Sequence, residues 1–312
     1  MMAAVLPLVS VVMPTFNRLE FLRLAIASLE AQTFPHWELI IADDGSQQPT
    51  RAYLERLEAP PRVRVLWLPH SGRPAVARNA ALRAARGEYV AFLDSDDLWL
   101  PEKLERQIAS LRHHPGRLWG YTAFAVVDAA GRKSPAPCDG RCAAPSGWIL
   151  ERILNDATVV ALPSVLVSRA LLAQLGAFDE ELVMCEDDEL WLRLAAASEI
   201  DGIDEPLTLI RRHRQHGGDD ATAWRDRRRV IEKALRRNRD AHLAPLLHRL
   251  RAETSAGLAR SQASAALRVS ALATLASSAC YSFRYRRWWR GALHALAIAC
   301  APRALRNLRH RL

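Results

Sequence analysis

The sequence predicts an α/β fold, a mostly parallel sheet flanked by helices and followed by a helical extension. Three observations carry this expectation. Short apolar, β-branched runs alternate with helix-period segments over the first hundred residues. Such alternation implies βαβ units, hence parallel strands with helices on both faces. The third is charge. Residues 1–218 hold 23 Lys/Arg against 28 Asp/Glu, whereas 219–312 hold 20 against 6. The overall charge of +9 therefore belongs to the C-terminal part, which is expected to form a separate basic α-helical extension (219–312) behind a mildly acidic domain (1–218).

The elements follow in order. Residues 8–13, "LVSVVM", form the first expected strand; no basic residues precede the apolar run and no small-residue cleavage site follows it, so it does not read as a signal peptide. "LEFLRLAIASLEAQ" is helix-periodic, "WELIIA" (37–42) is the second strand, and "QQPTRAYLERLE" a second helix. "VRVLWL" (63–68), the helix-like "PAVARNAALRAAR" and "EYVAFL" (88–93) complete four strands, with "LPEKLERQIASL" as the next helix. Beyond the motif-poor stretch 118–185, residues 224–253 read as one or two amphipathic helices with basic faces. After Glu253 there are ten Arg and no acid, and Trp288 and Trp289 sit among the arginines. That pattern suits a helix lying at an anionic membrane interface, or equally a helical hairpin packed within the protein. No uncharged apolar stretch reaches the roughly 20 residues of a membrane span. The five cysteines are odd in number and scattered, and Cys138/Cys142 lacks a second pair to complete a zinc site. A reducing, cytoplasmic setting is the expectation.

Each of the four strands ends in a polar cluster: "PTFNR", "DDGS", "PHSGRP" and "DSDD". Singly each reads as a turn. Parallel topology brings all four to the carboxyl edge of one sheet, where ligands of such folds bind. Strand alternation would point Asp94 and Asp96 the same way and Asp97 the other. Two carboxylates sharing a face repel unless a cation lies between them, which suits Mg²⁺ or Mn²⁺. The alternative is that these acids cap the following helix, a role that fits Asp97.

The motifs "VVMPTFNR", "IIADDGS", "GRPAVARNAAL", "VAFLDSDDLWLPEKL", "PSVLVSRALLAQLGAFDEEL", "CEDDELWLRLA" and "IRRHRQHGG" occur in this order over residues 7–217. Together they resemble the family 2 glycosyltransferases, inverting enzymes with a GT-A type, Rossmann-like sheet that take a sugar from a nucleotide diphosphate. The resemblance implies roles by position. Pro14, Thr15 and Asn17 would start the donor pocket, Asp43 and Asp44 would hold base and ribose, and Arg78 would lie near the base or diphosphate. Asp94 and Asp96 would form the D-x-D pair, with Asp96 the surer metal ligand. Asp187 would be the general base, with Glu186 and Trp99 on the acceptor side. Arg211 would approach the diphosphate, and His213 would serve the metal. Ile210 stands where the family often has an aromatic residue.

The chemistry asks for these residue types: a leaving nucleoside diphosphate needs charge neutralisation, and inversion needs one base. For Asp188 and Glu189 helix-end electrostatics suffice. "RRHRQHGG" also reads as a solvated basic loop. The implied cofactor is Mg²⁺ or Mn²⁺, the implied donor a UDP-sugar, and the implied acceptor a saccharide or lipid-linked hydroxyl. Peripheral contact at the cytoplasmic face of a membrane is carried as an expectation, nucleic acid is not. A sugar-phosphate nucleotidyltransferase would carry a Gly-rich loop after its first strand, where "PTFNR" has no glycine. A non-catalytic basic binding protein would explain the tail and not the four clusters.

Overall fold

The computed structural model describes residues 7–57, 62–134, 141–212 and 220–300. Cys138 and His213 lie outside these segments. Strands β1 (Val9–Thr15), β2 (Trp37–Asp43), β3 (Val63–Trp67) and β4 (Tyr89–Phe92) pair in parallel. They alternate with helices α1 (Leu19–Glu30), α2 (Thr50–Leu57) and α3 (Pro74–Ala84), as the periodicity predicts. β1 and β2 are almost entirely buried, which is why they read as continuous apolar runs instead of alternating ones.

The remainder of the sheet is mixed. After β5 (Leu98–Trp99), α4 (Lys103–His113), β6 (Trp119–Val127) and α5 (Leu150–Leu154) comes β7 (Val165–Ser168), which inserts antiparallel between β4 and β6. Next are α6 (Arg169–Leu175), α7 (Glu186–Ala197) and β8 (Ile200–Arg211), the last parallel to β6. The order across the eight strands is β3-β2-β1-β4-β7-β6-β8-β5. The sheet is thus parallel where the βαβ reasoning applies and reverses beyond β4.

Two apolar layers sandwich the sheet. Val12, Ile40, Val90 and Phe92 pack with Ala77 and Ala81 of α3, Leu172 of α6 and Trp191 of α7. Val11, Met13, Leu39 and Ile41 pack with Leu22 and Ile26 of α1, Leu54 of α2 and Ile108 of α4. Side-chain alternation along each strand divides the residues between the layers.

The chain forms two compact units, one of residues 1–182 with 186–216 and one of residues 183–185 with 217–312. The second is helical: α8 (Asp220–Arg237), α9 (Ala244–Ser264), α10 (Arg268–Ser282) and α11 (Arg286–Cys300). Trp288, Ala292 and Ala295 of α11 bury against Ala252, Ala256 and Ala259 of α9. Such small residues bring the helix axes close: a Cβ on Gly291 would stand 2.7 Å from the Ala256 Cβ. No helix among the described residues is long and apolar enough to cross a membrane. Cys142 is disulfide-bonded. Cys185, Cys280 and Cys300 form no disulfide.

Candidate functional site

The carboxyl edge of β1, β2 and β4 collects the expected clusters, and hydrogen bonds lock them together. After β1, Asn17 adopts a left-handed backbone (φ 52), a conformation asparagine tolerates better than most residues. Its N–H donates to Ser46 Oγ at 2.9 Å, and its Oδ1 accepts the Gln47 N–H at 2.8 Å. Asn17 therefore fastens the first cluster to the second. Asp44 fastens the second to the third, accepting the N–H groups of Ser71 (2.8 Å) and Gly72 (2.9 Å) and the Ser71 hydroxyl (2.8 Å). Pro14 and Thr15 close β1 in register with Ala42 and Asp43.

Asp43 is placed differently. Its Oδ2 accepts the Ser46 N–H at 2.9 Å, while its buried Oδ1, like the buried Oγ1 of its register partner Thr15, makes no hydrogen bond among the described residues. Two adjacent buried polar atoms without partners are costly unless a ligand satisfies them. Beside them the ring of Phe16 stacks on His70, centroids 4.1 Å apart and planes 20° apart, and His70 Nδ1 lies 3.0 Å from Asp44 Oδ2. Phe16, His70 and Ser71 were not anticipated as site residues, although "PTFNR" and "PHSGRP" contain them.

The fourth cluster corrects an expectation. β4 ends at Phe92, and Asp94–Asp97 form a turn closed by the Asp97 N–H donating to the Asp94 carbonyl at 3.1 Å. Strand alternation therefore does not govern these side chains. Each carboxylate has its own partner. Asp94 pairs with the Arg78 guanidinium at 2.7 Å, and Asp96 with that of Arg18. Asp97 is buried and accepts the Arg211 N–H at 2.7 Å, so it does not cap α4, whose N-cap position is Glu102. Burial, then the Asp94 and Asp96 charges, push the Asp97 carboxyl well above the usual carboxylate range.

Arg78 links two motifs. One guanidinium nitrogen reaches Asp94 and the other Glu186 at 2.6 Å, with the ring of Phe178 at 5.5 Å. This buried bridge commits both terminal nitrogens of Arg78 to carboxylates. Burial disfavours its charge, yet Asp94 and Glu186 outweigh that effect and hold it protonated. Glu186 opens α7, whose first turn carries Asp187, Asp188 and Glu189 as well. Burial, then Asp187, raise the Glu186 carboxyl. Asp187 is pushed up to about 7, first by burial and next by the Asp188 charge, against the pull of Arg78. Glu189 pairs with Arg193 at 2.7 Å within the same helix.

Two expected residues lie back from this edge. Trp99 is buried, its indole N–H donating to the Pro163 carbonyl at 2.7 Å, its ring 4.1 Å from the Lys103 ammonium. Arg211 is also buried, with Nε bound to the Asp96 carbonyl (2.9 Å) and Nη1 to that of Ala129 (2.8 Å). Its fork fastens the acidic turn to the end of β8.

The donor set fits a shared cation and not a protein cage. No group of three or more His, Cys, Asp or Glu able to hold a metal occurs among the described residues. Asp94 and Asp96 could supply the one or two carboxylates that Mg²⁺ or Mn²⁺ needs when phosphate oxygens fill the rest.

Comparison with known proteins agrees with this architecture. The glycosyl transferase family 2 model matches residues 10–138. The Escherichia coli UDP-Glc:alpha-D-GlcNAc-diphosphoundecaprenol beta-1,3-glucosyltransferase WfgD is 32% identical over 198 residues, 63% of this chain and 73% of that protein. A glycosyltransferase assigned to teichuronic acid biosynthesis in Bacillus subtilis (strain 168) is 35% identical over 170 residues, 54% of this chain and 65% of that protein. The matches span only 33% of an uncharacterized glycosyltransferase of Rickettsia felis. The chain belongs to glycosyl transferase family 2. Among solved structures, S. aureus TarS 1-349 in complex with UDP superposes with a TM-score of 0.65 at 20% identity, covering 90% of this chain and 91% of that one. The mannosyltransferase PcManGT from Pyrobaculum calidifontis, in complex with GDP-Man and Mn2+, gives 0.59 at 20% identity over 99% and 89%. At that identity the likeness concerns the GT-A fold.

Proposed function

We propose that the chain is an inverting glycosyltransferase that moves a sugar from a nucleotide-diphosphate sugar to an acceptor hydroxyl. The observation that carries this is the series Asp94–Arg78–Glu186, which ties the acidic turn after β4 to the helix start that bears Asp187. A carboxylate titrating near 7 is matched to removing a proton from a hydroxyl at neutral pH. The hydroxyl oxygen attacks the anomeric carbon as the bond to the leaving diphosphate breaks, and Asp187 takes the proton. Arg78 keeps Glu186 and Asp94 in place and moderates the rise in the Asp187 pKa. Asp43 and Thr15, with their unpaired buried oxygens, receive the nucleoside, and the Phe16/His70 pair borders it. A divalent cation held by Asp96 and Asp94 would supply neutralising charge for the leaving group.

Two relatives favour a class of substrate. The E. coli protein's name gives UDP-Glc as donor and alpha-D-GlcNAc-diphosphoundecaprenol as acceptor, and that of the B. subtilis protein gives teichuronic acid biosynthesis. A UDP-sugar and a lipid-linked or saccharide hydroxyl, in cell-surface polysaccharide synthesis, are therefore the first substrates to try. The test is incubation of the full chain with UDP-, GDP-, dTDP- and CMP-sugars, with Mn²⁺ or with excess chelator. Release of a nucleoside diphosphate that Asp96→Ala abolishes is the expected result. Release of pyrophosphate instead, or undiminished turnover in chelator, overturns the reading or its metal.

A further inference from the structure

The second unit carries an apolar surface that packing does not use. On α10, Val269, Leu272 and Ala276 recur at i, i+3 and i+7, and the stripe runs on to Phe283 just past the helix. Val269 is 82% exposed, Leu272 46% and Phe283 68%. On α11, Trp289, Leu293 and Leu296 recur at i, i+4 and i+7, each beside a member of the buried row Trp288, Ala292, Ala295. Leu293 is 61% exposed. The two stripes meet where the chain turns between the helices. There the rings of Phe283 and Trp289 stand edge to face, 5.3 Å apart, and the Trp289 indole N–H donates to the Phe283 carbonyl at 2.8 Å.

Around that junction lie the exposed Arg284, Arg286, Arg287 and Arg290. The nearest carboxylate in this part of the sequence, Glu253, is 3.6 Å from Arg287, and no acid follows it in the chain. We propose that this face docks on an anionic phospholipid surface, its aromatic and leucine side chains entering the headgroup boundary while the arginines meet lipid phosphates. The charge chooses this occupant over a second copy of the chain. A two-fold contact through the same face would set one arginine cluster against the other. An apolar stripe and a polybasic flank are the two signals that together give stable interfacial binding without a membrane-spanning segment.

The proposal is independent of the transferase chemistry: a chain that floats with vesicles and transfers nothing keeps this inference and loses the other. The test is flotation of the full-length protein with phosphatidylglycerol/phosphatidylcholine vesicles and with phosphatidylcholine alone, at about 0.15 M salt. Binding is expected on the anionic vesicles. Val269→Ser with Leu293→Ser should weaken it by about tenfold or more, because two exposed side chains lose their apolar burial. Arg284→Gln with Arg290→Gln should weaken it on anionic vesicles alone and flatten its salt dependence. If the first pair lowers the melting temperature, Leu272→Ser with Leu296→Ser replaces it. Anionic-vesicle binding unchanged by both apolar pairs overturns the proposal. So does failure to float accompanied by a concentration-dependent dimer that Leu293→Ser dissolves.

Discussion

Asp187 is half-buried and its carboxyl is raised by desolvation, so activity and stability should answer to its proton in opposite directions. With the carboxyl raised from 3.8 to about 7, the ionised base accumulates only as pH rises through about 7, and the transfer rate should climb with it. The folded-state value lies above the unfolded one, so the stability this group contributes is complete below about 3.8 and is lost as pH rises through about 7. Asp187→Asn should cut transfer by about 10² to 10⁴ with donor affinity kept, and its stability should vary less with pH over that window. Rates, donor dissociation constants and melting temperatures against pH measure all of this. A dead Asp188→Asn beside an active Asp187→Asn would move the base by one residue. Arg78 gives a second prediction. Replacing it with Met strips two buried or half-buried carboxylates of their counter-ion, a loss of about 3 to 5 kcal/mol on chemical denaturation. Arg78→Lys should recover only part of it, since an ammonium lacks the fork that reaches Asp94 and Glu186 together.

At the level of elements, the edge of the sheet opposite the site is fastened by one cluster. Glu38 of β2 accepts from Ser10 Oγ (2.7 Å), from the Arg86 N–H (2.9 Å) and from Arg64 (3.1 Å), and Ser10 Oγ accepts the Gly87 N–H at 2.8 Å. A Cβ at Gly87 would stand 2.6 Å from the Ser10 nitrogen, closer than backbone can yield cheaply. Gly87→Ala should therefore cost about 1 to 3 kcal/mol by parting β1 from β4, read as a lower denaturation midpoint. The four parallel strands were legible because burial on both faces leaves uninterrupted Val, Ile and Leu runs. β7 is only Val165–Ser168, too short to show a period, and β8 carries Asp, Glu and Pro through its middle, where its register with β6 shifts between Thr122 and Phe124. The acidic turn was legible as a polar cluster at the sheet edge and misread as geometry, since nothing in "FLDSDD" says that the strand stops at Phe92. The partners of its carboxylates were hidden for another reason. Arg18 stands 78 residues before Asp96 and Glu186 108 after Arg78, and only the fold brings them together.

Across the whole molecule, the chain leaves the first compact unit at Leu182, places Val183–Cys185 in the second, and re-enters the first at Glu186. Within the second unit this segment is held by Asp226 of α8. Its buried Oδ2 accepts the N–H groups of Val183 at 2.9 Å and Met184 at 3.1 Å, while Oδ1 faces Arg229 at 3.3 Å. Cys185 then takes a left-handed backbone (φ 61), which a non-glycine residue adopts only when its surroundings impose it, and α7 starts at the next residue. Asp226 thus holds the residues that immediately precede Glu186 in the chain. Asp226→Ala removes the acceptor of both N–H groups, which should cost about 1 to 3 kcal/mol of stability. It should also lower the transfer rate while leaving the donor dissociation constant unchanged, because Thr15, Asp43 and Asp96 lie far from it in the chain and are held by other elements. The measurements are a denaturation curve, a donor titration and a transfer rate for the one variant. If stability falls and the rate holds, the turn serves the fold alone; if donor affinity falls with the rate, its effect is not confined to Asp187.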